Sequence, residues 1–243
     1  MRSDSVRINV WSGPRNISTA LMYSFAQRAD TTVYDEPLYA HYLSKTTAKE
    51  YHPGADEVIA DQENDGQKVV DMILGEHPTR ISFFKHMTHQ LIQLDLSFLH
   101  DVVNVILTRN PFEMIASFSK QIEHPTLQDV GYAAHLKLLR YLNDHHLKVI
   151  VLDGKSVMLN PKKVLTELCD QINIPFDKTM LSWNAGARVE DGVWAKHWYH
   201  NVHKSTGFAE YVQKEIDFPE RLRPLLHTCQ PMYNELCQLA IKP

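Results

Sequence analysis

The chain has 243 residues, of which 44% are hydrophobic and 22% are charged, and its formal net charge at pH 7 is −4. This length suits one α/β domain with a sizeable core, so we expect a single domain over residues 1–243, with a helical C-terminal part from about residue 160. The net charge disfavours a general nucleic-acid or membrane-surface binder, which would carry a broad basic face, but it allows a local basic pocket for a small anion.

Strand and helix patterns alternate through the first part of the chain. Short β-branched or aromatic runs, typical of strands buried on both faces, lie at 7–11, 31–35, 81–84, 103–108 and 148–152. Helical patterns lie between them at 18–28, 67–75, 111–121 and 129–145. The alternation predicts a three-layer α/β sandwich, with a central parallel sheet of about five strands flanked by helices as in P-loop NTPases.

The C-terminal part differs from this pattern. Helices are predicted near 160–172, where Asn160-Pro161 marks a start, and again near 219–240. Between them, residues 183–208 are rich in Trp, His, Gly and polar residues and indicate an ordered loop.

The most informative motif spans residues 8–19, Ile-Asn-Val-Trp-Ser-Gly-Pro-Arg-Asn-Ile-Ser-Thr. It joins a buried strand to a helix through a glycine-containing turn, so the turn amides and the helix N-terminus converge on one anion site. Arg15 adds a planar fork, and Ser18 and Thr19 add neutral donors. The expected ligand is a phosphate or a phosphosulfate. The alternative is an ordinary turn with a serine cap.

Two other nucleotide-binding loops fit this motif less well. The ATP/GTP pattern G-x-x-x-x-G-K-[ST] requires a second Gly followed by Lys, and neither follows Gly13. The dinucleotide fingerprint requires three glycines, and this loop has one.

Polar residues follow the other predicted strands as well. Because the carboxyl ends of parallel strands meet at one edge of a sheet, we expect these residues to share a crevice, although a single charged strand end is usually a solvated loop. The groups are Asp35-Glu36, Lys85-His86, Arg109-Asn110-Pro111 and Asp153-Gly154-Lys155.

The segment 105–120 carries the second strong signal. Arg109 closes a strand, Pro111 suits the first turn of a helix, and Ser117 lies two turns into that helix. Arg109 and Ser117 could reach one phosphate if the loop between them folds back. The alternative is an exposed arginine and a small buried serine.

Three segments together resemble the sulfotransferases that use 3′-phosphoadenosine 5′-phosphosulfate (PAPS). Residues 12–19 look like the Pro-Arg variant of the 5′-phosphosulfate loop, 108–117 like the 3′-phosphate segment, and 152–176 like the late strand and NP-x-x-VL helix of that family. The resemblance implies PAPS as donor, PAP as product, a small-molecule acceptor with a hydroxyl or amine, and no metal. The cofactor-binding residues it implies are Gly13, Pro14, Arg15, Asn16, Ile17, Ser18, Thr19, Arg109 and Ser117.

The chain departs from the well-studied cytosolic members of that family in two places. Arg15 stands where those members have lysine, and it supplies charge as a fixed fork and not as a mobile point donor. Their late Arg-Lys-Gly segment is absent as such. Residues 203–208 are the nearest candidate for it, with Lys204 expected to close over the 3′-phosphate.

Sulfuryl transfer needs a base for the acceptor proton and stabilisation of the leaving phosphate. Arg15 is expected to stabilise the leaving group, and Lys85 to orient the sulfuryl oxygens. The base is Glu36, if a partly apolar pocket raises its pKa, or His86, whose ordinary pKa lies near neutrality. We favour Glu36, because Asp-Glu-Pro fixes it directly at a strand end.

A histidine-rich stretch, His197 to His203, could suggest a metal site. The spacing of His197, His200 and His203 spreads the rings round a helix, and no carboxylate or cysteine nearby completes a ligand set. We expect acceptor-pocket lining or plain surface there. Trp194, Trp198 and Tyr199 could supply aromatic walls, or they could belong to the core.

Two alternatives to a sulfotransferase stay open. An ATP-dependent small-molecule kinase on a related scaffold is disfavoured by the missing Gly-Lys, and only Asp35 and Asp153 could hold its Mg²⁺. A nucleotide-binding protein without turnover would use the same loops as the enzyme. A pyridoxal-phosphate aminotransferase is not indicated, because no lysine lies in a suitable sequence context.

The cysteines and the N-terminal residues indicate in which cellular compartment the protein is expected. Cys169, Cys229 and Cys237 form no C-x-x-C pair and are typical of small buried hydrophobes in a reducing environment. The first five residues are too polar for a signal peptide, and no apolar run approaches the length of a membrane span. These features predict a cytoplasmic location.

Overall fold

The structure is a computed structural model that describes residues 5–213 and 215–243. Its strands are β1 (Val6–Ser12), β2 (Thr31–Asp35), β3 (Ile81–Met87), β4 (Val103–Thr108) and β5 (Val149–Asp153). They form one sheet in the order β2-β3-β1-β4-β5, and all neighbouring pairs are parallel. The prediction of a central parallel sheet of about five strands is confirmed.

Helices connect the strands and cover both faces of the sheet. In the described residues they are α1 (Ser18–Phe25), α2 (Tyr39–Lys45), α3 (Ala55–Asp61), α4 (Gly66–Leu74), α5 (Pro111–Phe118), α6 (Leu127–Val130), α7 (Tyr132–Asp144), α8 (Gly154–Leu159), α9 (Pro161–Gln171), α10 (Ala195–Trp198) and α11 (Arg223–Leu239). The helix predicted at 129–145 is thus two helices. They separate at Gly131, whose φ of 78° is left-handed and ends the first helix.

Alternation along the strands builds two apolar layers. Ile8 and Val10 of β1 are fully buried in a cluster with residues of α1 and α9. Trp11, the next residue after Val10, points to the opposite face, where it packs with residues of α7 and α11. This arrangement gives the three-layer architecture.

The strand order places a crevice beside β1. The chain passes from β1 to β2 and β3 on one side of the sheet, and then crosses to β4 and β5 on the other. In open parallel sheets, ligands bind outside the carboxyl ends of the strands at such a reversal. The loops after β1, β2, β3 and β4 therefore meet around one opening.

The C-terminal part follows the sequence prediction in outline. The helices expected near 160–172 and 219–240 are α9 and α11, the latter preceded by a 3₁₀ turn at Glu220–Leu222. Residues 183–208 are mostly irregular but ordered by burial, since Trp183, Trp194 and Tyr199 are all at most 5% exposed. Within the described ranges, no helix has the length and apolar character that crossing a membrane requires.

Candidate active site

A cavity of about 380 Å³ opens at the carboxyl ends of β1 to β4. The loop after β1 contributes all residues from Pro14 to Thr19, and the neighbouring strand ends contribute Glu36, Lys85 and Arg109. Residues 194–209 close the opposite side with aromatic and small side chains. The expected convergence of these four strand ends is therefore present in the structure.

The loop after β1 leads into α1 without a side-chain cap. The residue that precedes α1 is Ile17, and no side chain bonds the first backbone N–H groups of the helix, so the alternative of a serine cap is wrong. Uncapped N–H groups at a helix start favour an anion. Arg15 has a left-handed φ of 51°, and a Cβ on Gly13 would lie 3.2 Å from the carbonyl oxygen of Val130. Gly13 lies behind the cavity and lets the loop approach that carbonyl.

Asn16 fastens this loop to the next strand. Its Nδ2 donates to the carbonyl oxygen of Leu107 at 3.0 Å, and its Oδ1 accepts from the backbone N–H of Ile17 at 2.9 Å. A Cβ on Gly154 would lie 2.7 Å from the same Oδ1, so a larger residue at the start of α8 would push the Asn16 amide out of this position. Asn16 shapes the anion loop by holding its backbone.

Two guanidinium groups and a hydroxyl meet at the far end of the cavity. Arg15 Nε donates to Ser117 Oγ at 3.2 Å, and Arg109 Nη1 donates to the carbonyl oxygen of Arg15 at 2.5 Å. Burial and the neighbouring charge of Arg109 lower the pKa of Arg15. The structure thus brings together Arg15, Arg109 and Ser117, as the sequence predicted. Two adjacent cations in one cavity favour a ligand with more than one negative charge.

Glu113 is the counter-ion of this end. Its Oε2 accepts from Arg109 Nη2 at 3.0 Å, and its Oε1 accepts from the hydroxyl of Tyr211 at 2.7 Å. Burial alone would raise the pKa of Glu113, but the hydrogen bonds from Tyr211 and Arg109 outweigh it and lower the pKa. Glu113 therefore pairs with Arg109, the guanidinium group that lies beside Arg15.

The other end of the cavity carries the opposite balance of charge. Lys85 Nζ donates to Asp35 Oδ1 at 2.8 Å, to Glu36 Oε1, and to the hydroxyl of Tyr199 at 2.8 Å. Tyr199 in turn donates to Asp35 Oδ2 at 2.7 Å. Burial opposes the charge on Lys85, yet the two carboxylates outweigh it and raise the pKa of the ammonium well above its ordinary value.

Glu36 lines the cavity within this cluster. Burial raises the pKa of its carboxyl; Lys85 opposes that shift, and the neighbouring Asp35 adds to it. Gln90 Nε2 donates to the second oxygen, Oε2, at 2.8 Å. The backbone at Glu36 is left-handed, with φ at 44°, as the chain turns sharply from β2 into α2. A fixed carboxylate of raised pKa is suited to accept a proton near neutrality.

The ammonium of Lys85 is fully hydrogen-bonded within the protein. An ammonium has three N–H donors, and all three are used by Asp35, Glu36 and Tyr199. The ammonium of Lys85 lines the cavity and holds one oxygen of Glu36, and its expected role toward the sulfuryl oxygens stays a prediction.

His86 lies on the wrong face of β3 to act as the base. Adjacent strand residues point to opposite faces, so when Lys85 faces the cavity His86 faces the core. Its ring stacks on Trp11 with centroids 4.4 Å apart, and the side chain is fully buried. Burial and the charge of Lys85 lower the pKa of His86 to about 3. The structure therefore places Glu36 at the cavity and His86 away from it, which leaves Glu36 as the candidate base.

Lys204 and the end of β5 were expected at the cavity but are not part of its lining. Lys204 is exposed at the end of the 3₁₀ turn Val202–Lys204 and does not line the cavity, whereas Ser205 and Gly207 just after it do. The end of β5 also stays outside the cavity. Asp153 caps α8 by accepting from the backbone N–H of Ser156 at 3.2 Å.

Residues 191–203, called the aromatic segment below, are hydrogen-bonded to the end of the cavity that holds Asp35 and Glu36. Gly192 N–H donates to Asp35 Oδ2 at 3.3 Å, and Trp194 Nε1 donates to the hydroxyl of Tyr199 at 3.2 Å. His203 Nε2 bonds Asp191 Oδ2 at 2.9 Å. Within residues 5–213 and 215–243, no three or more His, Cys, Asp or Glu side chains gather as ligands of a metal ion would.

Sequence reasoning missed several side chains of the site. Gln90, which holds Glu36, lies on the 3₁₀ turn Thr88–Gln90 directly after β3, and its Oε1 also accepts from the Met87 N–H at 3.1 Å. A glutamine three residues beyond a strand end was the available signal. Glu113 lies inside the segment 105–120, but no role was predicted for its carboxylate. The cavity residues Tyr39, His52 and His89 carried no recognisable pattern.

Two Arabidopsis thaliana proteins are similar to the chain in sequence. "Branched-chain-amino-acid aminotransferase-like protein 2" and "protein 1" are each 39% identical to it over 231 residues. The match covers 94% of this chain but only 41% of each relative, so the chain spans about two fifths of their length.

Solved structures of sulfotransferase domains share the fold. The domain from the curacin biosynthetic pathway aligns with a TM-score of 0.61 at 18% identity, covering 98% of this chain and 99% of its own. A sulfotransferase from *Alicyclobacillus acidocaldarius* aligns with a TM-score of 0.56 at 12% identity, covering 97% and 96%. The family model described as "Sulfotransferase domain" matches residues 6–240. With this fold, this cavity and a match over nearly its whole length, the chain belongs to the sulfotransferase domain family.

Proposed function

We propose that the protein transfers a sulfuryl group from PAPS to a hydroxyl or amine of a small-molecule acceptor. The observation that carries the proposal is the division of one cavity into two ends. Arg15, Arg109 and Ser117 meet at one end, and the buried carboxylate of Glu36 lies at the other. An anionic donor and an acceptor that must lose a proton need these two environments side by side.

The residues at the cationic end fit the donor. PAPS would supply an activated sulfuryl group on its 5′-phosphate and a separate 3′-phosphate. The uncapped N-terminus of α1, with Ser18 and Thr19 lining the cavity, suits the 5′ side. Arg109 and Ser117 suit the 3′-phosphate, and Arg15 lies between the two positions as the cation that stabilises charge on the leaving phosphate.

Glu36 acts as the general base. The acceptor oxygen or nitrogen forms a bond to sulfur, and the S–O bond to the 5′-phosphate breaks with its electron pair on the phosphate. The acceptor proton passes to a carboxylate oxygen of Glu36. A raised pKa makes this carboxylate a better proton acceptor than an ordinary surface glutamate. Lys85 and Gln90 hold one carboxylate oxygen each, so the base has a fixed orientation.

The structure disfavours the kinase alternative. Its two candidate Mg²⁺ ligands are both engaged, Asp35 with Lys85 and Tyr199, and Asp153 as the cap of α8. The aminotransferase wording in the names of the *Arabidopsis* relatives is not carried over, because the chain matches only 41% of their length and its own fold is that of a sulfotransferase domain.

Ligand-induced thermal stabilisation tests the proposal. The purified protein is titrated with PAP, ADP, AMP and ATP–Mg²⁺, and the melting temperature is recorded. A ligand present at about 100 times its dissociation constant adds about 2.7 kcal/mol to the unfolding free energy, which shifts the melting temperature by several degrees. We expect PAP to stabilise most. Stabilisation by ATP–Mg²⁺ with indifference to PAP would contradict the proposal and support a kinase.

A further inference from the structure

A second group of polar side chains lies in the cavity near Glu36. Tyr39, His52 and His89 line the same space as the base, and Phe118, Trp194 and Trp198 supply apolar walls. None of these six residues belongs to the cationic end. They surround the region that an acceptor would occupy when its reacting group lies against Glu36.

Tyr39 and His52 are hydrogen-bonded to each other, and this bond bears on which nitrogen of His52 carries the proton. The Tyr39 hydroxyl and His52 Nδ1 share a hydrogen bond of 2.8 Å, and burial together with the nearby Glu36 raises the pKa of Tyr39, so the hydroxyl keeps a proton that it can donate. Burial lowers the pKa of His52, which is therefore neutral at pH 7. A neutral imidazole that accepts at Nδ1 carries its own proton on Nε2. In the tautomer in which the Tyr39 hydroxyl donates to Nδ1, His52 presents an N–H donor at Nε2.

That donor has no partner within the protein. His52 Nε2 is buried and makes no hydrogen bond to any described residue, and the same holds for His89 Nδ1. The two rings are close enough that His52 contributes, after burial itself, to lowering the pKa of His89 to about 3. Buried polar atoms without partners are costly and rare. Two of them on neighbouring rings at a cavity wall indicate a place for a ligand atom.

The charge around these rings limits what that atom can be. Both imidazoles are neutral, and Asp129 lies behind them, held by the hydroxyl of Tyr51 at 2.8 Å. Glu36 and Asp35 lie at the other side of the same region. A carboxylate or phosphate on the ligand would meet negative charge with no free cation among these neighbours. An uncharged oxygen would receive the hydrogen bond from His52 without that repulsion.

We propose that His52, oriented by Tyr39 and assisted by His89, binds a second, uncharged oxygen of the acceptor, such as a carbonyl, ether or hydroxyl, while the apolar body of that molecule packs against Phe118, Trp194 and Trp198. This inference rests on the proposed function and adds the class of acceptor to it. The acceptor is an uncharged molecule with an aromatic or apolar body and two polar groups. One group reacts at Glu36, and the other is held by His52.

Binding of three matched probes to the PAP-loaded protein tests the inference. The probes are 4-hydroxyacetophenone, which carries a second uncharged oxygen, 4-ethylphenol, which lacks it, and 4-hydroxybenzoate, which carries a charge. Isothermal titration should show the acetophenone binding about five- to tenfold more tightly than the ethylphenol, as one buried hydrogen bond provides. The benzoate should bind most weakly.

A His52→Phe variant keeps an aromatic ring at this position but removes the nitrogen, so it should lose the preference for 4-hydroxyacetophenone over 4-ethylphenol. In it the ratio of the two dissociation constants should fall to about one, and 4-ethylphenol should bind within threefold of its wild-type affinity. Tyr39→Phe, which frees the Nδ1 of His52, should reduce the ratio in part. His124→Phe, at an exposed position away from the cavity, is the matched control and should keep the full preference.

Stabilisation by PAP shows that each variant is folded and separates this inference from the proposed function. If PAP stabilises the protein but the first two probes bind equally, or none binds, or the preference survives in His52→Phe, the second-oxygen site is wrong and the proposed function stands. If PAP itself fails to stabilise the wild-type protein, both are overturned.

Discussion

The two ends of the cavity differ in charge and in how completely their groups are paired. At the cationic end, Arg15 and Arg109 lie together, and the one carboxylate of Glu113 pairs with Arg109. At the acidic end, Asp35 and Glu36 share the single ammonium of Lys85. The net charge is therefore positive at one end of the cavity and negative at the other. Under the proposed function, the positive end binds the donor and the negative end takes the proton of the acceptor, and the two sets of charges stand at the ends of different strands.

The ends also differ in burial. The side chains of Lys85 and Asp35 are each 1% exposed, whereas those of Arg109 and Glu113 are 24% and 18% exposed. The acidic end is thus preformed and excludes water, so its groups need little reorganisation during reaction. The cationic end remains open to solvent, which under the proposed function leaves a path for the charged nucleotide to reach Arg109.

The largest expected effect comes from removing the base. Glu36→Gln keeps the shape and the hydrogen bond from Gln90 but cannot take a proton, so turnover of PAPS with any accepted substrate should fall by about 10²- to 10⁴-fold. PAP should still raise the melting temperature of this variant. Glu235→Gln, an exposed substitution on α11, is the control and should keep its activity. Full activity in Glu36→Gln would mean that another group takes the proton.

Removing the shared cation should destabilise the acidic end. Lys85→Met leaves two buried carboxylates without their counter-ion, and breaking a buried pair in this way costs about 3–5 kcal/mol of unfolding free energy. Urea denaturation measures it. The double variant Lys85→Met with Glu36→Gln should recover part of the loss, since one buried charge is then removed. A single variant as stable as the wild type would show that the cluster is not held by its charges.

Removing Arg109 should act on the cationic end alone. Arg109→Ala should weaken PAP by about 10- to 100-fold, the range of one or two charge-assisted hydrogen bonds, and should leave ADP, which has no 3′-phosphate, less affected. Melting curves with both nucleotides measure the difference. Arg140→Ala, at an exposed position of α7, is the control. Equal losses of affinity for PAP and for ADP would contradict the placement of the 3′-phosphate at this end.

The smallest effect concerns the face of β3 behind the cavity. His86 is buried, and its pKa is lowered to about 3. In the unfolded chain the same side chain takes up a proton once the pH falls below about 6.5, whereas in the folded chain it stays neutral. The unfolding free energy should therefore decrease on acidification from pH 6.5 to 4.5, and His86 contributes about 1.4 kcal/mol per pH unit. His86→Phe preserves the stacking on Trp11 and should reduce that slope by one proton in urea titrations. An unchanged slope would contradict the neutral buried state.

The residues differ in how far the sequence could predict them. The strands and the anion loop were predictable, because burial on both faces and a Gly-Pro-Arg turn leave local patterns. The choice between Glu36 and His86 was not settled locally. Lys85 and His86 must point to opposite faces of β3, but which of them meets the cavity depends on α2 and the aromatic segment packed later in the chain. Lys204 was expected over the 3′-phosphate but lies outside the cavity lining. Burial of Tyr199 and Trp183 sets the path of its loop, and the local sequence does not reveal that burial.

The most direct test of the division into two ends is isothermal titration of PAP into the wild-type protein, Glu36→Gln and Arg109→Ala under one set of conditions. The account predicts that Glu36→Gln binds PAP within about threefold of the wild type, because Glu36 belongs to the acceptor end. It predicts at least about tenfold weaker binding by Arg109→Ala. The reverse order, or equal loss in both variants, would contradict the separation of the donor end from the acceptor end.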